Sequence, residues 1–198
     1  MADGDFDLSG FAVGVVERAN MPSKSSVCEG DVLVGFASPG LRCNGYSLAR
    51  RVLLDGRPLD QPAWTGADVS LGEELLRPSV IYAPAVLEVF NQLEVHAAAH
   101  ITGGGLPGNL VRVIESNVAV LLHPDKWRMP EIFDRIAADG PVSEEEMQKV
   151  FNLGIGMVLV VPADQSARTI EIASQNGHEA WVIGDITSGN GEVRWIKK

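Results

Sequence analysis

Along the chain, short β-branched or continuously apolar runs alternate with stretches in which apolar residues recur every three or four positions. Phe11–Glu17, Asp31–Ala37, Val95–Thr102, Val118–Leu122, Met157–Val161 and Ala180–Ile186 have the first pattern and read as strands, with Glu192–Ile196 closing the sheet as an edge strand. Helical spacing covers Ser47–Leu54, Leu71–Leu76, Ala83–Leu93, Leu106 to Ile114 and Pro130–Ala138. Two more helices follow, one opened by Ser143 with Glu146 as a capping box and one capped by Asp164 and ending near Asn176-Gly177. Val86, Val89, Phe90 and Leu93 share one helix face, which marks a core stripe. The pattern predicts one mixed α/β domain with helices packed on a sheet of six or seven strands and no internal repeat.

Between these elements the turn chemistry is uneven. Asp55–Ser70 carries Gly56, Pro58, Pro62 and Gly66 with little periodicity and reads as a long surface loop, a candidate lid. Ser38, Asn44 and Ser47 bracket another loop with side chains that can hydrogen-bond a polar ligand, although Asn44 equally suits the cap of the next helix. Gly154 and Gly156 bracket a single residue between a helix and a strand, which implies close backbone approach to another strand or to a ligand.

Val95–Ile114 stands out from this background. An apolar strand runs into Gly103-Gly104-Gly105 and restarts as a helix, with Pro107 in a first turn that does not need its N–H. Such a junction aims free N–H groups and the positive end of a helix dipole at one point, which suits an anion such as phosphate. Gly103-x-Gly105-x-x-Gly108 also matches the dinucleotide-binding spacing. Against that reading, Glu115 comes too early for the ribose-binding carboxylate, and Asp125 lies in a turn beyond the next strand. A plain structural turn is the third reading.

Composition narrows the partners. With 198 residues, 45% of them hydrophobic, the chain can bury a sizeable core without staples. Its net charge of −10 and lack of any basic run argue against nucleic-acid binding. Cys28 and Cys43 are the only cysteines and no N-terminal leader pattern is visible, so reduced thiols in a soluble, cytoplasmic protein are expected. The longest apolar run, Ile155–Val161, falls far short of the roughly 20 residues a membrane helix needs.

Of the four histidines, His96 and His100 would share a strand face at a separation of roughly 13 Å, too far for one zinc, so no metal site is expected from them. His100, two residues before the glycine turn, is either a core residue or a group that exchanges protons with a ligand near pH 7. No Gly-x-Ser-x-Gly elbow exists, and Cys43 has no histidine nearby in sequence.

Three motifs together resemble the phosphoribosylformylglycinamidine cyclo-ligase (aminoimidazole ribonucleotide synthetase) family. They are His100-Ile-Thr-Gly-Gly-Gly105 with Asn109 and Arg112, Asn44-Gly-Tyr-Ser-Leu48, and Phe151-Asn-Leu-Gly-Ile-Gly-Met157. Asp7–Gly14, Leu71–Pro78 and Trp181–Gly184 add to the likeness in the same order. The resemblance covers the second half of that enzyme, which implies a linker remnant over residues 1–9, a C-terminal α/β domain over 10–198 and a missing N-terminal domain. It further implies ATP-dependent ring closure in purine biosynthesis: ATP activates the formamide oxygen of formylglycinamidine ribonucleotide, an amidine-side nitrogen attacks that carbon, and phosphate leaves.

Carried over by residue, the resemblance makes Thr102, Gly103, Gly104 and Gly105 a substrate- or phosphate-binding turn with Asn109 behind it and His100 as the catalytic candidate. Asn44 and Gly45 line the facing loop, while Asn152 and Gly154 bring backbone to the site. ATP and Mg²⁺ are the implied cofactors, both requiring the missing half, and the full-length enzyme is expected to be a homodimer. The isolated chain is accordingly expected to be inactive. Two other readings remain: a related ATP-dependent enzyme of the selenophosphate synthetase or thiamine-phosphate kinase type, and a non-catalytic domain that binds a phospho-ligand or a partner. The chain departs from the family at Arg42-Cys43, where many members have His-Ser, so any role of that histidine does not transfer. Arg42 is either a bidentate phosphate ligand or a solvated loop charge. Gly108 and Val111 replace a commoner Glu and Pro.

Overall fold

A computed structural model describes residues 8–196. Six strands form one sheet: β1 (Asp31–Ala37), β2 (Ala97–His100), β3 (Val118–Leu122), β4 (Ile155–Pro162), β5 (Ala180–Ser188) and β6 (Val193–Trp195). Their order is β2-β4-β1-β5-β3-β6, antiparallel except for β3 beside β6. The central strands β1 and β4 are almost wholly buried, which explains why they read as continuous apolar runs instead of alternating ones.

The described residues form seven helices: α1 (Tyr46–Leu53), α2 (Leu71–Leu75), α3 (Ala83–Gln92), α4 (Gly105–Leu110), α5 (Glu131–Asp139), α6 (Glu144–Val150) and α7 (Ser166–Gln175). On one face Leu106 and Leu110 of α4, with Ile114 beyond it, pack on Leu33, Val158, Val160 and Ile183. On the other, Ala85 and Val89 of α3 and Ile172 and Ala173 of α7 pack on Val34, Phe36, Leu159 and Val161. A third cluster joins α1, α2, α5 and α6 through Leu48, Leu53, Leu71, Ile132, Phe133, Met147 and Phe151. No helix among the described residues is long and apolar enough to cross a membrane.

Several elements differ from the sequence reading. Phe11–Glu17 is not a strand: it has no partner among the described residues, and Phe11, Val13 and Val15 are 94%, 86% and 100% exposed. β-Branched alternation supplies strand propensity, but a strand forms only where another supplies its hydrogen bonds. Asn44 does not cap α1, because Gly45, at φ 80°, occupies the cap position. Asp164 does not cap α7 either; it lies in a short 3₁₀ turn, Ala163–Gln165, that precedes the helix. The helix after the glycine turn ends at Leu110, so Val113 and Ile114 lie beyond it although both reach the core. Ser143 caps α6 by accepting from the Glu146 N–H, whereas the reciprocal capping box is found at Ser70 and Glu73. The Asp55–Ser70 loop is pinned: Arg57 donates to the Ala63 carbonyl at 2.5 Å and pairs with Asp139 at 3.3 Å, while Ala63 is buried. Of the stretch expected to be a linker, residues 1–7 lie outside the described residues.

Candidate functional site

Register decides which loops meet. β1 and β2 both flank β4 and run antiparallel to it, with Phe36 and His100 each opposite Met157. Phe36 also faces Ala180 of β5. The C-terminal ends of β1 and β2 and the N-terminal ends of β4 and β5 therefore share one end of the sheet. That end gathers the loop from Ser38 to Gly45, the Ile101–Gly105 turn, the Asn152–Gly154 turn and the Gly177–Glu179 turn. Four segments far apart in sequence become neighbours.

The glycine turn is braced from behind by Asn109, which is buried. Its amide nitrogen donates to the Gly105 carbonyl at 2.8 Å and to the Thr102 and Gly103 carbonyls at 3.3 and 3.4 Å, and its oxygen accepts from the Thr102 hydroxyl at 3.2 Å. Carbonyls are thus drawn inward, and among the described residues neither Gly103 nor Gly104 gives its N–H to another backbone group. Gly104 takes φ 98° and Gly105 φ 61°. A methyl group on Gly105 would also overlap the Gln148 carbonyl, so a side chain is excluded on two counts. Gly103 is exposed, and Asn44 Oδ1 lies beside it, where a Cβ would stand 3.6 Å away. Gly45 turns the facing loop against the Phe151 ring.

Asn152 ties two of these loops together. Its amide nitrogen donates to the Gly40 carbonyl at 2.9 Å, and its oxygen accepts from the Gly154 N–H at 2.8 Å. The Ser38 N–H completes the tie to the Gly154 carbonyl at 2.7 Å. Asn109 and Asn152 are consequently engaged within the protein and position backbone for the site.

Arg42 enters as the central charge of this end. Its backbone adopts φ 63°, and its Nη1 donates to the Gly156 carbonyl at 3.1 Å. Nη2 meets His100 Nε2, and the guanidinium carbon lies 5.9 Å from the Tyr82 ring centroid. Arg42 Nε is buried and has no hydrogen-bond partner. Burial, and then the adjacent Arg42 charge, lower the His100 pKa below its ordinary value, so the imidazole is held neutral with Nε2 as acceptor. Tyr82 donates to the Ala37 carbonyl at 2.7 Å, and its ring lies 5.4 Å from that of His178. Burial pushes the Tyr82 hydroxyl pKa up against the opposing effect of Arg42. Gly156 is a close approach, but to side chains and not to the strand or ligand its spacing implied: a methyl group there would run into Tyr82 and Arg42.

Of the residues singled out from sequence, Thr102–Gly105, Asn44, Gly45, Asn152 and Gly154 lie on these converging segments, His100 ends β2 beside them and Asn109 braces the glycine turn from α4. A cleft of about 840 Å³ opens beside them, lined by Ser38, Gly154 and His178 together with Arg77, Arg128 and Arg135 and the carboxylates of Glu131, Asp134 and Glu179. Only Gly154 of the predicted set lines it. Sequence reasoning missed Tyr82 and His178. His178 had a usable signal, since it sits at a turn-to-strand junction after Asn176-Gly177. Tyr82 had none, because its role comes from the packing of α3 across the end of β1.

The model of the family described as "AIR synthase related protein, C-terminal domain" matches residues 29–197. The phosphoribosylformylglycinamidine cyclo-ligase of Anaeromyxobacter sp. (strain Fw109-5) is 45% identical over 193 residues, which cover 97% of this chain and 56% of that protein. The chain spans about half the length of the curated relatives it matches. Among solved structures, thiamine-monophosphate kinase from Stenotrophomonas maltophilia K279a superposes with TM-score 0.62 at 20% identity, covering 91% of this chain and 54% of that one. T. maritima PurL complexed with AMPPCP gives 0.56 at 17% identity, covering 92% and 26%. At these identities the structural matches speak to the fold.

Proposed function

We infer the function from one premise: the chain belongs to the AIR synthase related protein family, in its C-terminal domain. We propose that residues 10–198 form the C-terminal half of an ATP-dependent, cytoplasmic cyclo-ligase that converts formylglycinamidine ribonucleotide to aminoimidazole ribonucleotide. The observation that carries this reading is the meeting, at one sheet end, of the glycine turn, the Asn44 loop and the Arg42–His100 pair.

In this reading the N–H groups of Gly103 and Gly104, given to no other backbone group among the described residues, hold a phosphate, with Asn44 beside Gly103. Arg42 stabilises the negative charge that develops as the formamide oxygen, once phosphorylated, leaves the carbon as phosphate. His100, kept neutral by burial and by Arg42, accepts a proton at Nε2 when the attacking nitrogen loses one, and the pair must separate for this to happen. Arg42, Asn44, Tyr82, His100, Thr102 and Gly103 offer no carboxylate, while Glu131, Asp134 and Glu179 line the adjoining cleft. The six residues around the glycine turn do not fit Mg²⁺, which takes hard oxygen ligands, and metal and ATP are assigned to the N-terminal half. The exposed Phe11–Glu17 segment supplies a natural seam with that half, and residues 1–9 lead into it. Homodimer contacts are likewise assigned to the N-terminal half.

A chimera in which this chain replaces the C-terminal half of the Anaeromyxobacter protein tests the reading. ATP-dependent phosphate release with formylglycinamidine ribonucleotide is expected from the chimera and not from the chain alone. A chimera that binds both substrates without turnover overturns the proposal, and robust turnover by the chain alone overturns the half-site reading.

A further inference from the structure

The opposite end of the sheet carries a cluster that the glycine-turn chemistry does not use. Asp31 opens β1 and His96 immediately precedes β2, and both strands flank β4. Their side chains meet, with His96 Nδ1 2.7 Å from Asp31 Oδ2. Cys28 joins them through a tight turn closed by Asp31 N–H to the Cys28 carbonyl at 3.2 Å, and its thiol lies 3.7 Å from Asp31 Oδ1. The sulfur, one carboxylate oxygen and one imidazole nitrogen all lie within 4.8 Å of one another.

We propose that Cys28, Asp31 and His96 form a binding site for a borderline-soft divalent cation of the zinc class, with water as the fourth ligand and Glu94 as an outer-sphere partner. Thiolate, imidazole and carboxylate together are a zinc-type donor set, and they do not suit magnesium or calcium. Bond lengths of about 2.0–2.3 Å to one ion place neighbouring ligands about 3.3–3.8 Å apart, close to the spacing already present for Cys28 and Asp31. The scaffold is stiff. The Gly30 N–H is bonded to the Ile186 carbonyl at 3.0 Å and the His96 N–H to the Val160 carbonyl at 2.9 Å, so both ligand-bearing segments are fastened to the sheet. Asp31 and His96 are shielded, with side chains 3% and 11% exposed, while Cys28 is exposed and leaves an entry path.

Glu94 supplies the strongest support. Its Oε1 lies 3.1 Å from His96 Nε2, on the far side of the ring from the three converging ligand atoms. A metal-ligating histidine characteristically donates its other N–H to a carboxylate, which orients the ring and raises its basicity. Without metal the imidazole lies within hydrogen-bond distance of a carboxylate at each nitrogen. Binding breaks the S–H bond and any Nδ1–H bond, releases those protons to solvent, forms the Nδ1–metal and S–metal bonds, and leaves Nε2–H donating to Glu94. The rival account is a plain structural Asp31–His96 ion pair with a bystander thiol.

The test uses the full 198-residue chain, free of any affinity tag and stripped of metal. Titration with Co²⁺ is expected to give one equivalent of binding with a thiolate-to-cobalt charge-transfer band in the near ultraviolet. Competition of Zn²⁺ against a chromogenic chelator is expected to show Cys28→Ser weakened about a hundredfold and Glu94→Gln about tenfold, with Cys43→Ser unchanged. Absence of the band in the unmutated chain overturns the proposal without reference to any variant. So does an affinity unaffected by Cys28→Ser, or a band lost in Cys43→Ser instead.

Discussion

Arg42 and His100 illustrate how much a single contact sets at the residue scale. Because burial and Arg42 both lower the His100 pKa, the folded protein takes up this proton at a lower pH than the unfolded chain, whose value is near 6.5. Stability from this source is therefore intact above pH 6.5 and is lost as pH falls from there through the folded pKa. Replacing Arg42 by Gln is expected to raise the His100 pKa and flatten the acid side of the stability curve. Histidine ring resonances followed by NMR across the pH range check the first outcome, and urea unfolding at several pH values the second. The glycines behave differently from one another. Gly105→Ala meets a positive φ and the Gln148 carbonyl, and is expected to cost about 2–4 kcal/mol in urea unfolding. Gly108→Ala meets nothing within 4 Å inside α4 and is expected to be neutral or stabilising by up to about 1 kcal/mol. A dinucleotide fingerprint would need that third glycine for close helix packing, so the contrast separates the two readings of one motif.

At the scale of elements, the site depends on loops held by buried amides. Asn152→Ala would leave the Gly154 N–H without its partner, while the Gly40 carbonyl keeps the Ser38 hydroxyl at 3.2 Å. Chemical denaturation should register a loss of about 1–3 kcal/mol for the one group left unsatisfied. In the chimera the same change is expected to raise KM for the ribonucleotide more than it lowers kcat, because Asn152 positions the loops and does not touch reacting atoms. Helix faces were readable because period and burial coincide, as at Val86, Val89, Phe90 and Leu93, all of which pack on the core. Helix starts were less readable. Asn44 and Asp164 both have capping chemistry, yet Gly45 and a 3₁₀ turn took those positions, since the backbone path into a helix is settled by what the preceding loop packs against.

For the whole molecule, the exposed alternation at Phe11, Val13 and Val15 is the feature most at odds with an independent domain. An apolar face of this kind on an unpaired segment is the form of a strand waiting for a neighbour. In hydrogen exchange, amides of residues 11–17 are expected to exchange quickly in the chain alone and to become protected in the chimera. Unchanged exchange would place the seam with the N-terminal half elsewhere.

The sequence by itself determined the class of fold, nearly every helix and strand, and the segments from which the proposed site is drawn, because periodicity, turn residues and local motifs act over a few neighbouring positions. His100, Thr102–Gly105 and Asn44 could be named on that basis, and the family could be recognised from motifs standing in order. The tertiary structure alone decided that Phe11–Glu17 lacks a partner strand, that Arg42 docks on His100 and not on solvent, that Tyr82 and His178 join them, and that Cys28 meets Asp31 and His96. Each of these depends on strand order and register between segments up to more than a hundred residues apart. Such pairings are set by burial of the whole core, and no local pattern encodes them.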